Sequence, residues 1–319
     1  MSELSYNSLN NWLKFKHLVL LETLSRTKNM HIAAEQMNLS QPAVSKMLKE
    51  IESLLGFAVF ERQPRSMPVT ALGMHVITYA KKVLNDAKSF VEEMEILRQG
   101  GHGYLKVGGI FAATAVVIPN SIIEIKKKWP LLSIDVVEQT SDHLMEMLND
   151  RTLDLAIGRF TDHTQMQFFN FEPLGPEPFC IVVNNAHPCS NQDFCKIEEL
   201  LKWPWVLYPK GTPIRERMEK AFIGANVKIP LNTVNTMSMQ TFLQILKGAP
   251  MVAMLPEAMI QQQVKEGKLH ILKTNLVIDN QDYGILTRKG DMVSDIAQKF
   301  INILKSKSNI EPVPSDENY

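Results

Sequence analysis

From about residue 10 to residue 98 the chain holds few glycines, and its apolar residues recur at spacings of three and four. That period belongs to helices with one buried stripe, so the first third predicts an almost wholly helical unit. Gly100, Gly101 and Gly103 break the pattern. Beyond them, short apolar strands at 104–110, 134–138 and 154–158 alternate with helices at 119–128 and 141–148. A second series starts near Phe179. Strands at 179–183, 205–208, 231–235, 251–255 and 281–287 alternate with helices at 196–201, 213–222, 238–246, 256–265 and 293–304. This rhythm implies parallel, helix-covered sheets and an α/β class overall. The polar tail, 305–319, is expected to be disordered.

Composition narrows the function classes. The 319 residues are 45% hydrophobic and 21% charged, ordinary for a globular protein of two or three domains with sizeable cores. Lys+Arg and Asp+Glu number 34 each. Residues 1–66 carry eight cations against six carboxylates. Affinity for DNA must therefore come from a few placed cations, not from a broad field. Three cysteines, no apolar signal core in MSELSYNSLNNWLK and no run near 18 apolar residues lead us to expect a cytoplasmic protein without a membrane partner. The HExxH, CxxC, GxSxG and P-loop patterns are absent, and the eight histidines lack metal-ligand spacing. Neither an enzyme nor a metal or cofactor protein is expected.

Within the helical third, residues 32–37 form a short helix with two alanines, and Asn38-Leu39-Ser40 a tight turn. Ser40 is a good N-cap, Pro42 sits in the first turn, and Gly56 suits the end of the helix. Val44, Leu48, Ile51 and Leu55 make one apolar face. Gln41, Ser45 and Lys49 fall on another, with Lys46 beside them. A helix packed by its apolar stripe then presents amide, hydroxyl and ammonium groups suited to base edges and phosphates. A solvated amphipathic helix has the same spacing.

The run Ala33-Ala34-Glu35-Gln36-Met37-Asn38-Leu39-Ser40-Gln41-Pro42-Ala43-Val44-Ser45-Lys46 resembles the signature of LysR-type regulators. So does its continuation through Glu52, Leu55-Gly56, Phe60-Glu61-Arg62, Thr70 and Gly73. The likeness covers about residues 12–98 and weakens beyond Gly103, where the order of elements still agrees. It implies a winged helix-turn-helix over 10–69, in which Gln41, Pro42, Ser45 and Lys46 reach bases or phosphates. Ser40 and Lys49 join them as candidates, and Arg62 and Arg65 would lie on a wing spanning 57–69. The family often has arginine where Lys46 stands, and lysine cannot form the bidentate guanine contact.

Residues 70–98 read as a linker helix capped by Thr70. Val76, Ala80, Val83, Ala87, Phe90, Met94 and Leu97 step by four and three in turn, a heptad seam suited to pairing with a second copy. A stripe packed on its own domain is the other reading of that spacing. The resemblance implies a dimer, and a tetramer as a dimer of dimers, on promoter DNA bound near RNA polymerase.

Residues 104–304 resemble the two-lobed, periplasmic-binding-protein-like effector domain of the same family. One lobe spans about 104–175 and 278–304, the other 176–277. Crossings are expected near 173–179 and 272–281. The resemblance implies a small-molecule effector in the cleft, a carboxylate or other anionic metabolite. The family commonly has Ser or Thr at Ala112; here Thr114 or backbone N–H groups alone would serve. Ser141, as a helix cap, and Arg159, as partner of a ligand carboxylate, complete one wall, with Thr212 and Ser238 opposite. Some members sense peroxide through a cysteine pair. Cys189 and Cys195 make redox sensing the alternative function, against incidental surface thiols.

Overall fold

The computed structural model describes residues 5–61, 63, 66–278 and 280–307, without the side chain of Ser8. The chain divides into a helical N-terminal unit and a larger α/β unit.

The first unit holds α1 (Tyr6–Trp12), α2 (Phe15–Thr27), α3 (Met30–Gln36), α4 (Gln41–Leu55) and α5 (Ala71–Arg98). Helix α3 starts two residues before the expected position because the Asn29 side chain accepts the N–H groups of His31 and Ile32. It stops at Asn38, which is left-handed at φ 53. There the Leu39 N–H returns to the Ala34 carbonyl at 2.9 Å, closing the helix end. Ser40 then caps α4 by accepting the Ala43 N–H, and Gly56 ends it at φ 79. Leu21 and Leu24 of α2, Ala33 and Ala34 of α3, and Val44, Leu48 and Ile51 of α4 share one core.

Antiparallel bridges Phe60–Val69 and Gln63–Ser66 form the wing stem. Its base hangs on Glu52 of α4, whose carboxylate accepts the N–H groups of Val59 at 2.8 Å and Phe60 at 3.3 Å. Thr70 accepts the Gly73 N–H and starts α5. A Cβ on Gly73 would lie 2.1 Å from the Val59 carbonyl oxygen, so glycine is what lets α5 press against the wing base. Helix α5 runs for 28 residues, about 42 Å at 1.5 Å per residue.

The second unit holds β1 (Tyr104–Gly109), β2 (Ser133–Glu138), β3 (Leu155–Gly158), β4 (Phe169–Glu177), β5 (Phe179–Asn184), β6 (Trp205–Leu207), β7 (Thr233–Asn235), β8 (Val252–Pro256), β9 (Leu269–Leu272) and β10 (Gln281–Arg288). Helices α6 (Ile118–Lys128), α7 (Ser141–Asn149), α8 (Ile197–Leu200), α9 (Pro213–Gly224), α10 (Met239–Gly248), α11 (Glu257–Lys265) and α12 (Asp295–Lys307) lie between and after them. Two five-stranded sheets result, ordered β2-β1-β3-β10-β4 and β7-β6-β8-β5-β9. Leu105, Ile118, Leu144 and Phe300 anchor the core of the first. The second is covered on both sides, by a cluster around Trp205 and Phe222 and by one around Val206 and Phe242.

Three expectations need correction. The sheets are mixed: β1, β2 and β3 pair in parallel, as do β6, β7 and β8, but β4, β5, β9 and β10 pair antiparallel. Chain passing from one sheet to the other has no crossover helix to reverse it, so it runs against its neighbours. Where β4 runs, the sequence suggests only a crossing, because Pro173 and Pro176 argue against a strand. The strand is tolerated as an edge, paired only with β10. A Cβ on Gly284 of β10 would lie 2.3 Å from the Glu172 carbonyl oxygen, so that pairing also depends on glycine. Finally, α12 continues through Lys307, so the expected tail at 305–319 begins inside a helix; residues 308–319 lie outside the described ones.

Candidate functional site

Helix α4 separates its faces sharply. Val44, Leu48 and Ile51 are buried, whereas Gln41, Pro42, Lys46 and Lys49 are exposed and Ser45 is half-buried. The Ser40 hydroxyl is engaged as the cap, 3.3 Å from the Ala43 nitrogen. Arg62 and Arg65 lie outside the described residues. The heptad seam of α5 divides in two. Val76, Ala80 and Val83 pack on the helical core of their own unit, with Ala80 fully buried. Ala87 is half-buried, and Phe90, Met94 and Leu97 are 61%, 38% and 44% exposed. Tyr79 and Val91 add exposed apolar surface that the seam does not include.

In the α/β unit the parallel strands end toward a cleft of about 910 Å³. One wall comes from Ile110 and Phe111 after β1, Glu138 to Ser141 at the end of β2, and Arg159 to Thr161 after β3. The other comes from Tyr208 after β6, Met237 beyond β7, and Pro256 closing β8. Carboxyl ends of parallel strands, where helices start, are the usual ligand crevice of α/β sheets. The chain beyond β1 turns through a π-helical segment, Ala113–Val117, before α6. Such turns often mark functional sites.

Of the six residues expected to meet effector, Ser141, Arg159 and Thr212 line the cleft, whereas Ala112, Thr114 and Ser238 do not. Ala112 is buried in the core. The Thr114 hydroxyl donates to Glu138 Oε2, so it steadies a lining carboxylate from behind. Ser141 is the first residue of α7, not a cap outside it, and its hydroxyl accepts the Arg159 N–H at 3.2 Å. Thr212 caps α9 and donates to the Pro209 carbonyl, while Ser238 caps α10.

Arg159 and Glu177 form the central feature, an ion pair between two side chains that are 10% and 3% exposed. The guanidinium expected to await a ligand carboxylate already holds one from β4. Its Nε is buried and has no hydrogen-bond partner among the described residues. Glu138, Phe160 and Tyr208 also line the cleft and were not anticipated there. Burial, with Glu177 and Glu138 nearby, pushes the Tyr208 phenol above its usual range, so it stays protonated. Arg215 steadies that wall by donating to the Tyr208 carbonyl at 3.1 Å and to Asn235 at 3.0 Å. The spacing between Arg159 and Glu177 carries no periodic signal, which is why sequence reasoning missed the pair.

Cys189 and Cys195 are not surface thiols. Both are buried and free, with their sulfurs 3.1 Å apart. Burial pushes the Cys195 thiol up to about 12. Among the described residues no helix is long and apolar enough to cross a membrane, and no cluster of His, Cys, Asp and Glu is arranged to hold a metal.

Comparison with known proteins places both units. Residues 15–74 match the model for the bacterial regulatory helix-turn-helix protein, lysR family, and residues 98–309 match the LysR substrate binding domain. The transcriptional regulator GbpR of Azospirillum brasilense is 28% identical over 305 residues, covering 94% of this chain and 89% of its own. The full-length structure of CbnR with its target DNA aligns at a TM-score of 0.64 and 17% identity, covering 92% of this chain and 99% of that one. Full-length OxyR of Pseudomonas aeruginosa aligns at 0.60 and 22% identity, covering 92% and 95%. These structures share the fold, and the homologues are transcription regulators, not enzymes. The chain belongs to the LysR family, as a DNA-binding transcription regulator with a winged helix-turn-helix, a long linker helix and a two-lobed effector-binding domain.

Proposed function

We propose that α4 enters the major groove of promoter DNA and reads it through Gln41, Pro42, Ser45, Lys46 and Lys49, with Ser40 at the helix start against a phosphate. Arg62 and Arg65 of the wing grip backbone or minor groove. Residues 10–69 act as the reader, 70–98 as the linker and 104–304 as the sensor. Two copies pair along α5, where exposed Phe90, Met94 and Leu97 leave apolar surface to cover, and pairs of dimers form the tetramer. A small-molecule effector in the cleft binds one conformational state better than another, which changes the access of RNA polymerase to the promoter. The setting is the cytoplasm.

The observation that carries this reading is the pairing of two features in one LysR-family chain: a helix with a solvent-facing polar row and a cleft at the carboxyl ends of the parallel strands. The direct test is Ser45→Ala with Lys46→Ala in the full-length protein. Operator affinity should fall roughly hundredfold, measured by fluorescence anisotropy, with thermal stability unchanged. Retained affinity would put the recognition surface elsewhere.

A second reading, redox control, draws on the contact between Cys189 and Cys195. Peroxide would take up two electrons and two protons from the thiols, leaving a disulfide and two waters. Burial keeps Cys195 a thiol and so slows that attack, which favours the effector reading. A change in operator affinity after peroxide treatment, abolished by Cys195→Ser, would reverse that preference.

A further inference from the structure

The geometry points to an uncharged, polyhydroxylated effector of the aldose or cyclitol class, in place of the anion that Arg159 alone suggests. This rests on the cleft being the effector site, as proposed above. The wall at the ends of β2, β3 and β4 carries two carboxylates, the exposed Glu138 and the buried Glu177, against one guanidinium, Arg159. That guanidinium is already neutralised by Glu177. Across the rest of the lining, Arg217 and Lys220 accompany Glu216, so the whole cleft holds three cations and three carboxylates. An anion entering this wall meets a surplus carboxylate at Glu138, and the guanidinium that would offset its charge is already paired with Glu177.

The groups at this wall call for both hydrogen-bond roles at once. Carboxylates only accept, whereas the buried Arg159 Nε–H only donates and has no partner among the described residues. A hydroxyl can donate to the first and accept from the second. An ammonium ligand answers the carboxylates but offers no acceptor to Arg159. Phe111, Phe160 and Tyr208 add ring surface to the same cleft, suited to the C–H face of a sugar or cyclitol. Recognition would thus use several neutral hydroxyls and no net charge.

The test is a thermal-shift and calorimetric comparison on the full-length protein. The probes are D-glucose, D-xylose and myo-inositol, the matched acids gluconate and glucuronate, and the amine glucosamine. At least one neutral compound should raise the melting temperature and bind at least tenfold more tightly than its acid or amine counterpart. Glu138→Gln removes the surplus charge at an exposed position and should narrow the preference over the acid at least fivefold. Thr140→Trp fills the cleft and should abolish the shift. Preference for an acid or the amine, lost in Thr140→Trp, overturns the class while leaving the cleft intact as the site. A neutral ligand that binds Thr140→Trp undiminished overturns the cleft assignment itself. No response to any neutral compound also overturns the class.

Discussion

On α4, Gln41, Lys46 and Lys49 stand in solvent opposite the buried Val44, Leu48 and Ile51; in the cleft, Arg159 and Glu177 lie buried against each other. Both places gather polar side chains, but one set is exposed at the surface and the other is paired inside the protein. An exposed polar group contributes little to folding and is available for a ligand. A buried ionic group is part of the fold, and removing its partner leaves a charge without compensation. The difference teaches that function at the reader can be altered almost independently of stability. At the sensor, the recognition chemistry and the fold share residues.

The largest expected effect would break the comparison at its buried end. Glu177→Ala should lower stability by about 3–5 kcal/mol, because Arg159 keeps its charge and loses its carboxylate. Urea unfolding of the full-length chain measures this. A decrease under about 1 kcal/mol would mean that water reaches the guanidinium and that the pair is effectively a surface one. An intermediate effect is expected where the reader does contain an engaged carboxylate. Glu52→Ala removes the acceptor of the Val59 and Phe60 N–H groups and should cost about 1–3 kcal/mol, read by the same unfolding curves, with the wing loosened. At the exposed end, Lys49→Ala should change stability by no more than about 0.5 kcal/mol. Its signature is in DNA binding. The slope of log affinity against log salt should become shallower by about 0.9, for the one phosphate that is no longer neutralised.

The smallest effect is titration. Burial holds His187 below its ordinary pKa of 6.5, as it does His17, where Lys16 and Lys14 add to the shift. Both take up a proton less readily when folded than when unfolded. Their contribution is therefore present above about pH 6.5 and lost as pH falls through that value toward the folded pKa. The melting temperature should drop between about pH 7.5 and pH 5.5, and His187→Gln should flatten that dependence. A flat wild-type profile would show that neither imidazole is kept from protonation by its surroundings.

The helix-turn-helix was legible because its determinants are local. Ser40 and Gly56 act within one turn of the helix ends they define, and the alternation of Val44, Leu48 and Ile51 is set by a single helical period. Less of the wing could be read, since Glu52 reaches forward seven and eight residues to nitrogens that only the folded chain brings near. The α5 seam shows the limit of periodicity. A stripe of fours and threes says that the residues share a face, but not that Ala80 is covered by its own unit while Phe90 is left open.

In the α/β unit, strand and helix order could be read along the chain because each element's burial repeats with its own period. Direction and pairing could not: β4 and β10 meet from distant parts of the chain, and their prolines and glycine obscure the strand pattern. Arg159 was visible from its place at the end of an apolar strand. Its partner was not, because Glu177 arrives on a crossing strand whose position depends on the whole sheet. Sequence by itself determined the helical first third and the alternation of strands and helices beyond it, which follow from short-range periodicity and caps, while the reader and the two-lobed class were legible through the resemblance carried by residues 33–46 and their continuation. Tertiary structure alone decided the charge that the cleft presents, because electrostatic neutralisation depends on distance in space, which sequence separation does not encode.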